Sequence, residues 1–325
     1  MRAIRILLLL GLVMSLAACG STASTTSSES SSATSSQPAA SADETIKLGL
    51  ITKFPVDFFF VIEDAAKAWA EGHPEVELIT GQGAAGDDHE GQIAIIESMV
   101  AQGVQGIALT PTGPQVQPAL DAAVAEGVKI VLIDNDLPDW DGKSAVVATD
   151  NYAGGVLAGE WLRENLSAGD TLAVLEGVAG VPALDARVEG MMEGLGDLDI
   201  EVVQQLPTDC DQVKGQDAAE AILTANPDVS AIYGACGPPI IGALEAISNA
   251  DRSPDSIVVV GFDASPDELA AIQAGTEDAT VAQFPAKMGE LGLETLFQVV
   301  SGNEVEPNVD TGTAIVTPEN VGDFE

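Results

Sequence analysis

The side chains able to do chemistry cluster where short β-branched runs end: Lys53, Asp57, Asp134, Asn135, Asp150, Asn151, Asp263 and Gln283. If those runs are parallel strands, their carboxyl ends are where ligands collect, and acids and amides there suit a small polar ligand. A strand-end acid is equally a helix cap or a turn residue. Asp134 and Asp263 form an acid pair of the kind a glycosidase uses, but neither has an obvious hydrophobic neighbour to raise its pKa. Other catalytic machinery is poorly provided for. The two histidines, His73 and His89, sit in surface-type sequence beside acids or proline, and no G-x-S-x-G elbow, HExxH or CxxC spacing occurs. Asp87, Asp88, His89 and Glu90 offer donors for a cation, though solvated loop charge is the plainer reading. Gly81-Gln82-Gly83-Ala84-Ala85-Gly86 spells G-x-G-x-x-G after a strand, but Asp87–Glu90 intervenes before any helix. The position about 20 residues on is Gly106, where a dinucleotide site wants an acid. The segment therefore reads as a flexible loop, and neither cofactor nor metal is implied.

The elements that must position these residues alternate. Strands are expected at Ile46–Ile51, Val76–Thr80, Gly106–Leu109, Lys129–Ile133, Ala145–Ala148, Thr171–Leu175, Glu201–Gln205, Ala231–Tyr233, Ile257–Phe262 and Ala279–Ala282. Between them lie Ala-rich amphipathic stretches at Val61–Glu71, Gln92–Gln102, Val116–Glu126, Ala153–Asn165, Ala183–Leu195, Val213–Ala225, Ile240–Asn249, Glu268–Ala274 and Lys287–Ser301. This alternation predicts an α/β protein of parallel sheets covered by helices, and ten strands divide naturally into two sheets. A loose echo between Gln102–Ala108 and Asn226–Ile232 supports two similar halves. The chain has 325 residues, with 12 Lys+Arg against 51 Asp+Glu. So few cations exclude a phosphate-neutralising stripe and with it sequence-independent nucleic-acid binding.

The N-terminus predicts the compartment. Arg2 and Arg5 precede a short apolar run, Ile6 to Leu16, and Leu16-Ala17-Ala18-Cys19 looks like a bacterial lipobox. Residues 1–18 are then a lipoprotein signal peptide, and Cys19 carries the lipid. Residues 19–45, rich in Ser and Thr, are expected to be a tether. Cys210 and Cys236 remain; in an exported chain a disulfide is their natural reading, with two buried thiols as the alternative.

From Ile46 onward the chain resembles a periplasmic-type sugar-binding protein of an ABC importer, in the ribose-binding-protein-like group of type I solute-binding proteins. The segments that carry the resemblance include Asp57-Phe58-Phe59-Phe60, Ala148–Gly155, Leu175-Glu176-Gly177 and Ala186-Arg187-Val188-Glu189-Gly190. Asn226-Pro227-Asp228, Val259–Pro266 and Ala279–Pro285 complete the series. The resemblance implies two Rossmann-like lobes with parallel sheets, joined by three hinge crossovers near Ala148–Asp150, Gln283–Phe284 and Thr311–Ala314. Residues 46–149 with 284–312 would form one lobe, and 150–283 with 313–325 the other. It also implies a ligand set: Asp57, Phe59 and Phe60 with Asp134 and Asn135 from the first lobe, and Arg187, Asp263 and Gln283 from the second. Where ribose binders carry Arg this chain has Asn135, and where they carry a second aromatic it has Cys210. Cys236-Gly237-Pro238-Pro239 replaces an Asn-Asp pair. Trp140 or Tyr152 would supply the missing ring, Cys236 would line the site, and a Cys210–Cys236 bridge would shape it.

The expected function is a monomeric, lipid-anchored, extracytoplasmic receptor that is not an enzyme. It would take up a monosaccharide or sugar alcohol and deliver it to a membrane permease driven by a separate ATPase. The membrane would be met through the lipid alone. The alternatives are a sugar or autoinducer sensor feeding a histidine kinase, and a glycosidase.

Overall fold

The computed structural model describes residues 45–324 except 251, 254 and 255. The expected signal peptide, Cys19 and all of the expected tether but Thr45 lie outside the described residues. The chain runs β1 (Ile46–Thr52), α1 (Asp57–Glu71), β2 (Val76–Gln82), α2 (His89–Ala101), β3 (Gly106–Leu109), α3 (Gln117–Ala125), β4 (Lys129–Ile133) and β5 (Ala145–Ala148). It continues with α4 (Asn151–Asn165), β6 (Thr171–Glu176), α5 (Pro182–Leu195), β7 (Glu201–Pro207), α6 (Gln212–Ala225), β8 (Ala231–Gly234) and α7 (Gly237–Asn249). The last elements are β9 (Val258–Asp263), α8 (Pro266–Ala274), β10 (Ala279–Ala282), α9 (Pro285–Val300), β11 (Asn308–Asp310) and β12 (Ala314–Val316).

These strands form two six-stranded sheets, ordered β11-β5-β4-β3-β1-β2 and β12-β10-β9-β8-β6-β7. Every pairing is parallel except that of β10 with β12. The orders correspond strand for strand, so β4 and β9 hold equivalent places in two α/β lobes. Both faces of each sheet are covered, which explains the unbroken apolar runs. In β4, Ile130 and Leu132 enter one core with Trp140 and Leu109, while Val131 and Ile133 enter another with Phe59, Ile62 and Leu296. In β6, Leu172 and Val174 face α4 and α5, and Ala173 and Leu175 face α6 and α7.

The chain changes sheet between β5 and α4, between β10 and α9, and between β11 and β12. α9 returns to the first sheet by packing on α1. A Cβ at Gly289 would lie 2.1 Å from the Ile62 carbonyl oxygen, so the glycine lets the two backbones touch. Among the described residues no helix is long and apolar enough to cross a membrane.

Candidate functional site

The equivalent strands β4 and β9 each end in a strained acid. Asp134, just past β4, has φ +66, and Asp263, closing β9, has φ +111. Non-glycine residues held there cost on the order of 1–3 kcal/mol each and gather at functional sites. The Asp263 carboxylate is close enough to raise the cost of ionising Asp134 across the cleft. Burial pushes Asp134 up to about 6, with the Asp263 charge adding to the rise and the Lys53 ammonium and Arg187 guanidinium opposing it. Burial also holds Lys53, just past β1, below its ordinary range, and the Asp134 charge opposes this. No hydrophobic neighbour of Asp134 is visible in the local sequence; the fold supplies the desolvation.

Arg187 organises the second lobe. It lies on α5, which approaches α4 through glycines: a Cβ at Gly155 would stand 2.2 Å from the Arg187 carbonyl oxygen. The side chain is 5% exposed. Its Nε donates to Asn151 Oδ1 at 2.9 Å, and its Nη1 donates to the Ala235 carbonyl at 2.8 Å and to Asp263 Oδ1 at 3.0 Å. The guanidinium carbon lies 3.8 Å from the centre of the Phe262 ring, a cation–π contact. The Tyr233 hydroxyl donates to the Arg187 carbonyl at 3.3 Å. Asp263 also accepts from Gln283 Nε2 at 2.7 Å and from the Gly237 N–H at 3.2 Å. Gln283 is buried, yet its Oε1 has no partner. An amide held by its nitrogen and open at its oxygen is a ready acceptor for a ligand hydroxyl.

A cavity of about 480 Å³ opens beside Asp134 and Asn135, reaching across to Asn151 and Tyr152. The Tyr152 ring is exposed and its hydroxyl bonds Glu193. Asp150 caps α4 by accepting the Ala153 N–H at 2.9 Å, which is the structural reading of a strand-end acid. Asp88 likewise caps α2, so the Asp87–Glu90 stretch includes a helix start, and His89 bonds the Thr112 hydroxyl. Gly81 and Gln82 belong to β2, and no helix opens at Gly86. Among the described residues no group of three or more His, Cys, Asp or Glu is placed to hold a metal.

The structure thus brings Asp134, Asn135, Arg187, Asp263 and Gln283 together at the strand ends. Cys210 and Cys236 are joined in a disulfide, with Cα atoms 5.6 Å apart; Cys236 is buried and immediately precedes the Gly237 amide that holds Asp263. Asp57 is exposed at the first turn of α1. Phe60 is 41% exposed. Among the expected aromatic contacts, Trp140 needs correction and Phe59 is more enclosed than Phe60. Phe59 is 4% exposed and belongs to a core with Ile62 and Ala66, edge-on to Phe54 and Phe58. Residues 59, 62 and 66 share the buried stripe of α1. Trp140 is in the core on the far face of the first sheet, where its Nε1 donates to Asp121 Oδ1 at 2.7 Å; it does not supply the missing ring. Asn151, Tyr233 and Phe262 were not anticipated as partners of Arg187. Of these only Asn151 carried a signal, its place after a strand.

A family model described as a periplasmic binding protein domain matches residues 48–304. The ribose import binding protein of Bacillus subtilis is 32% identical over 233 residues, covering 71% of this chain and 74% of that protein. The D-allose-binding periplasmic protein of Escherichia coli is 30% identical over 280 residues, covering 82% and 88%. The crystal structure of the periplasmic ribose ABC transporter from Conexibacter woesei superposes with a TM-score of 0.80 at 26% identity, covering 86% of this chain and 95% of that one.

Proposed function

Since the chain belongs to the periplasmic binding protein family, we propose that it captures a monosaccharide or sugar alcohol between its lobes and delivers it to an ABC import permease. The observation that carries this reading is the arrangement of acceptors. Asp263 and the unpartnered Gln283 Oε1 stand on one lobe, and Asp134 stands on the other. A sugar offers several hydroxyl donors in fixed directions, and charged acceptors make the stronger bonds to them. Ligand touching both lobes would favour the closed form, which is the form a permease would recognise. The lobes would be residues 46–149 with 284–312 and residues 150–283 with 313–325, turning about the three sheet changes.

The Phe60 ring and the exposed Tyr152 ring are the aromatic surfaces available to a sugar's C–H face. Asp57 and Asn135 would add polar contacts at the rim. The protein would act as a monomer, anchored outside the cytoplasm through a lipid on Cys19 after removal of residues 1–18. It would bind without turnover, because Asp263 is tied to Arg187, Gln283 and Gly237 rather than free to attack. The raised Asp134 carboxyl would suit a general acid, so turnover is the counter-test. Thermal shift and calorimetry with pentoses, hexoses, polyols and furanosyl autoinducers test the reading. Specific stabilisation by at least one of them is expected by mass action; no shift with any, or release of a product, refutes it.

A further inference from the structure

The turn that presents Asp263 to the cleft is strained twice in succession, with Asp263 at φ +111 and Ala264 at φ +51. Such a pair persists only where its surroundings hold it. The holding contacts converge on Glu268, fully buried in the first turn of α8. Its Oε2 accepts the Ser265 N–H at 2.9 Å, while Ser265 Oγ accepts the Glu268 N–H. Its Oε1 accepts the Thr280 hydroxyl at 2.7 Å, and Thr280 Oγ1 in turn accepts the Ala264 N–H at 3.4 Å. On the other side Glu268 Oε2 crowds Gly237, where a Cβ would stand 2.3 Å away. Gly237 is the residue whose N–H donates to Asp263 Oδ2.

A second acid backs the first. Glu277 is 1% exposed, and neither of its carboxyl oxygens has a hydrogen-bond partner. The point a Cβ of residue 261 would occupy lies 2.3 Å from Glu268 Oε1 and 2.6 Å from Glu277 Oε1, so the two carboxyls meet over this glycine. The other charged groups facing the pair are Asp263, closing β9, and Asp278, before β10. Arg187 stands beyond Asp263.

We propose that Glu268 is a positioning residue for ligand capture: backed by Glu277, it holds the Asp263–Ala264 turn in the geometry in which Asp263 meets Arg187, Gln283 and the cleft. The inference rests on the sugar-receptor reading only for the identity of the ligand. Burial, with the Asp263 charge adding, pushes Glu268 up to about 8. Burial, then the Glu268 and Asp278 charges, raises Glu277 well above the usual carboxylate range. Glu268 thus keeps its proton at pH 7, and the two carboxyls meet without mutual charge repulsion. Ionising Glu268 as pH rises through about 8 would set a charge beside Asp263 and loosen the turn.

The test uses D-ribose, D-allose and myo-inositol in calorimetric titrations from pH 6 to 9 on the wild type, Glu268→Gln and Glu268→Ala. Amide exchange at Gly237 and Ser265 is followed in the same proteins without sugar. For a sugar that binds, wild-type affinity should fall above pH 8. Glu268→Gln should bind roughly tenfold more weakly at pH 7, as expected for losing about 1.4 kcal/mol of positioning, and its affinity should be flat to pH 9. An alkaline fall carried instead by Lys53, whose ammonium burial holds below its ordinary range, would persist in Glu268→Gln and is told apart in that way. Amide protection at Gly237 and Ser265 should drop in both variants while β1 keeps its own. Wild-type affinity, protection and alkaline fall in Glu268→Gln would overturn the proposal. If none of the three sugars binds, the exchange result decides alone. Lost protection there sustains the positioning role while the sugar reading loses its support; retained protection overturns the role as well.

Discussion

Replacing Glu277 with glutamine should stabilise the protein at neutral pH, and the gain should grow as pH rises. In the fold this carboxyl is buried without a hydrogen-bond partner and its pKa is raised, chiefly by desolvation. Unfolded, it titrates near an ordinary value of about 4.3. Above that pH the unfolded chain releases a proton that the folded chain keeps, so stability falls by about 1.4 kcal/mol per pH unit until the folded pKa is reached. Below about pH 4 both states are protonated and the penalty vanishes. Glutamine has the same shape and does not titrate. Its advantage should therefore widen as pH rises above about 5, by at most about 1.4 kcal/mol per pH unit. Urea unfolding of both proteins at pH 5, 6 and 7 measures this, and taking the difference cancels the self-repulsion of a chain with net charge −39. A pH-independent difference, or a variant less stable at pH 7, would mean that Glu277 is ionised and paired in the native state. The desolvation reasoning would then be wrong.

Removing the disulfide in Cys210→Ser/Cys236→Ser reopens a loop with sequence separation 26. The chain-entropy model puts the cost at about 3 kcal/mol, and melting with and without reductant should show a matching fall in Tm in the wild type alone. Affinity for any bound sugar should decline as pH falls through about 6, because Asp134 then gains a proton and ceases to be a charged acceptor; in Asp134→Asn that acid limb should disappear from the calorimetric profile. Arg187→Met removes the cation that pairs with Asp263 and lies over Phe262; a loss of roughly 3 kcal/mol in stability is expected, together with loss of binding, both read by sugar titration of a thermal melt. Trp140→Phe, by contrast, should cost about 1 kcal/mol through the bond to Asp121 and leave sugar affinity unchanged.

The strands were the most legible part of the fold. Gly106–Leu109, Lys129–Ile133, Ala145–Ala148 and Ala279–Ala282 end where the apolar run ends, and the structure places them at those bounds. The helices begin earlier than their amphipathic period predicts. α1 opens at Asp57 rather than Val61, and α7 at Gly237 rather than Ile240. Their first turns carry Phe58–Phe60 and Pro238-Pro239, which blur the amphipathic period, although proline at the start of a helix is itself a start signal. β11 and β12, three residues each, are too short to show a period. Within the site, residue type was legible and facing was not. Phe59 and Trp140 are aromatic near strand ends, but their direction depends on the phase of α1 and on the loop after β4. Nothing in the local sequence around Glu268 and Glu277 signals burial, and only the assembled second lobe buries them. The single local signal was Ser265-Pro266-Asp267-Glu268, a capping box, which predicts a helix start and says nothing of what the glutamate touches.

With acids so far in excess of cations, the placement of Arg187 has an energetic consequence for closure. One guanidinium lowers the cost of ionising Asp134 from across the cleft while it is bonded to Asp263 on its own lobe. The Asp263 charge works against it but is outweighed by Arg187 and by Lys53, so the main cost of keeping Asp134 ionised is its desolvation. Closing the lobes without ligand raises that cost, because the last water leaves the carboxylate and nothing replaces its hydrogen bonds. A ligand rich in hydroxyl donors relieves it by bonding both carboxylates at once. A ligand lacking the hydroxyl that faces either acid leaves a buried acceptor unpaired, at a cost of about 1–3 kcal/mol. Selectivity against deoxy sugars and the drive to close are thus set by the same two carboxylates. Asp134→Asn should accordingly weaken discrimination between a bound sugar and its deoxy analogue while making the unliganded closed form easier to populate. Small-angle scattering of the unliganded protein would detect the second effect as a decrease in radius of gyration. An unchanged radius together with unchanged discrimination would place the driving force for closure elsewhere in the cleft.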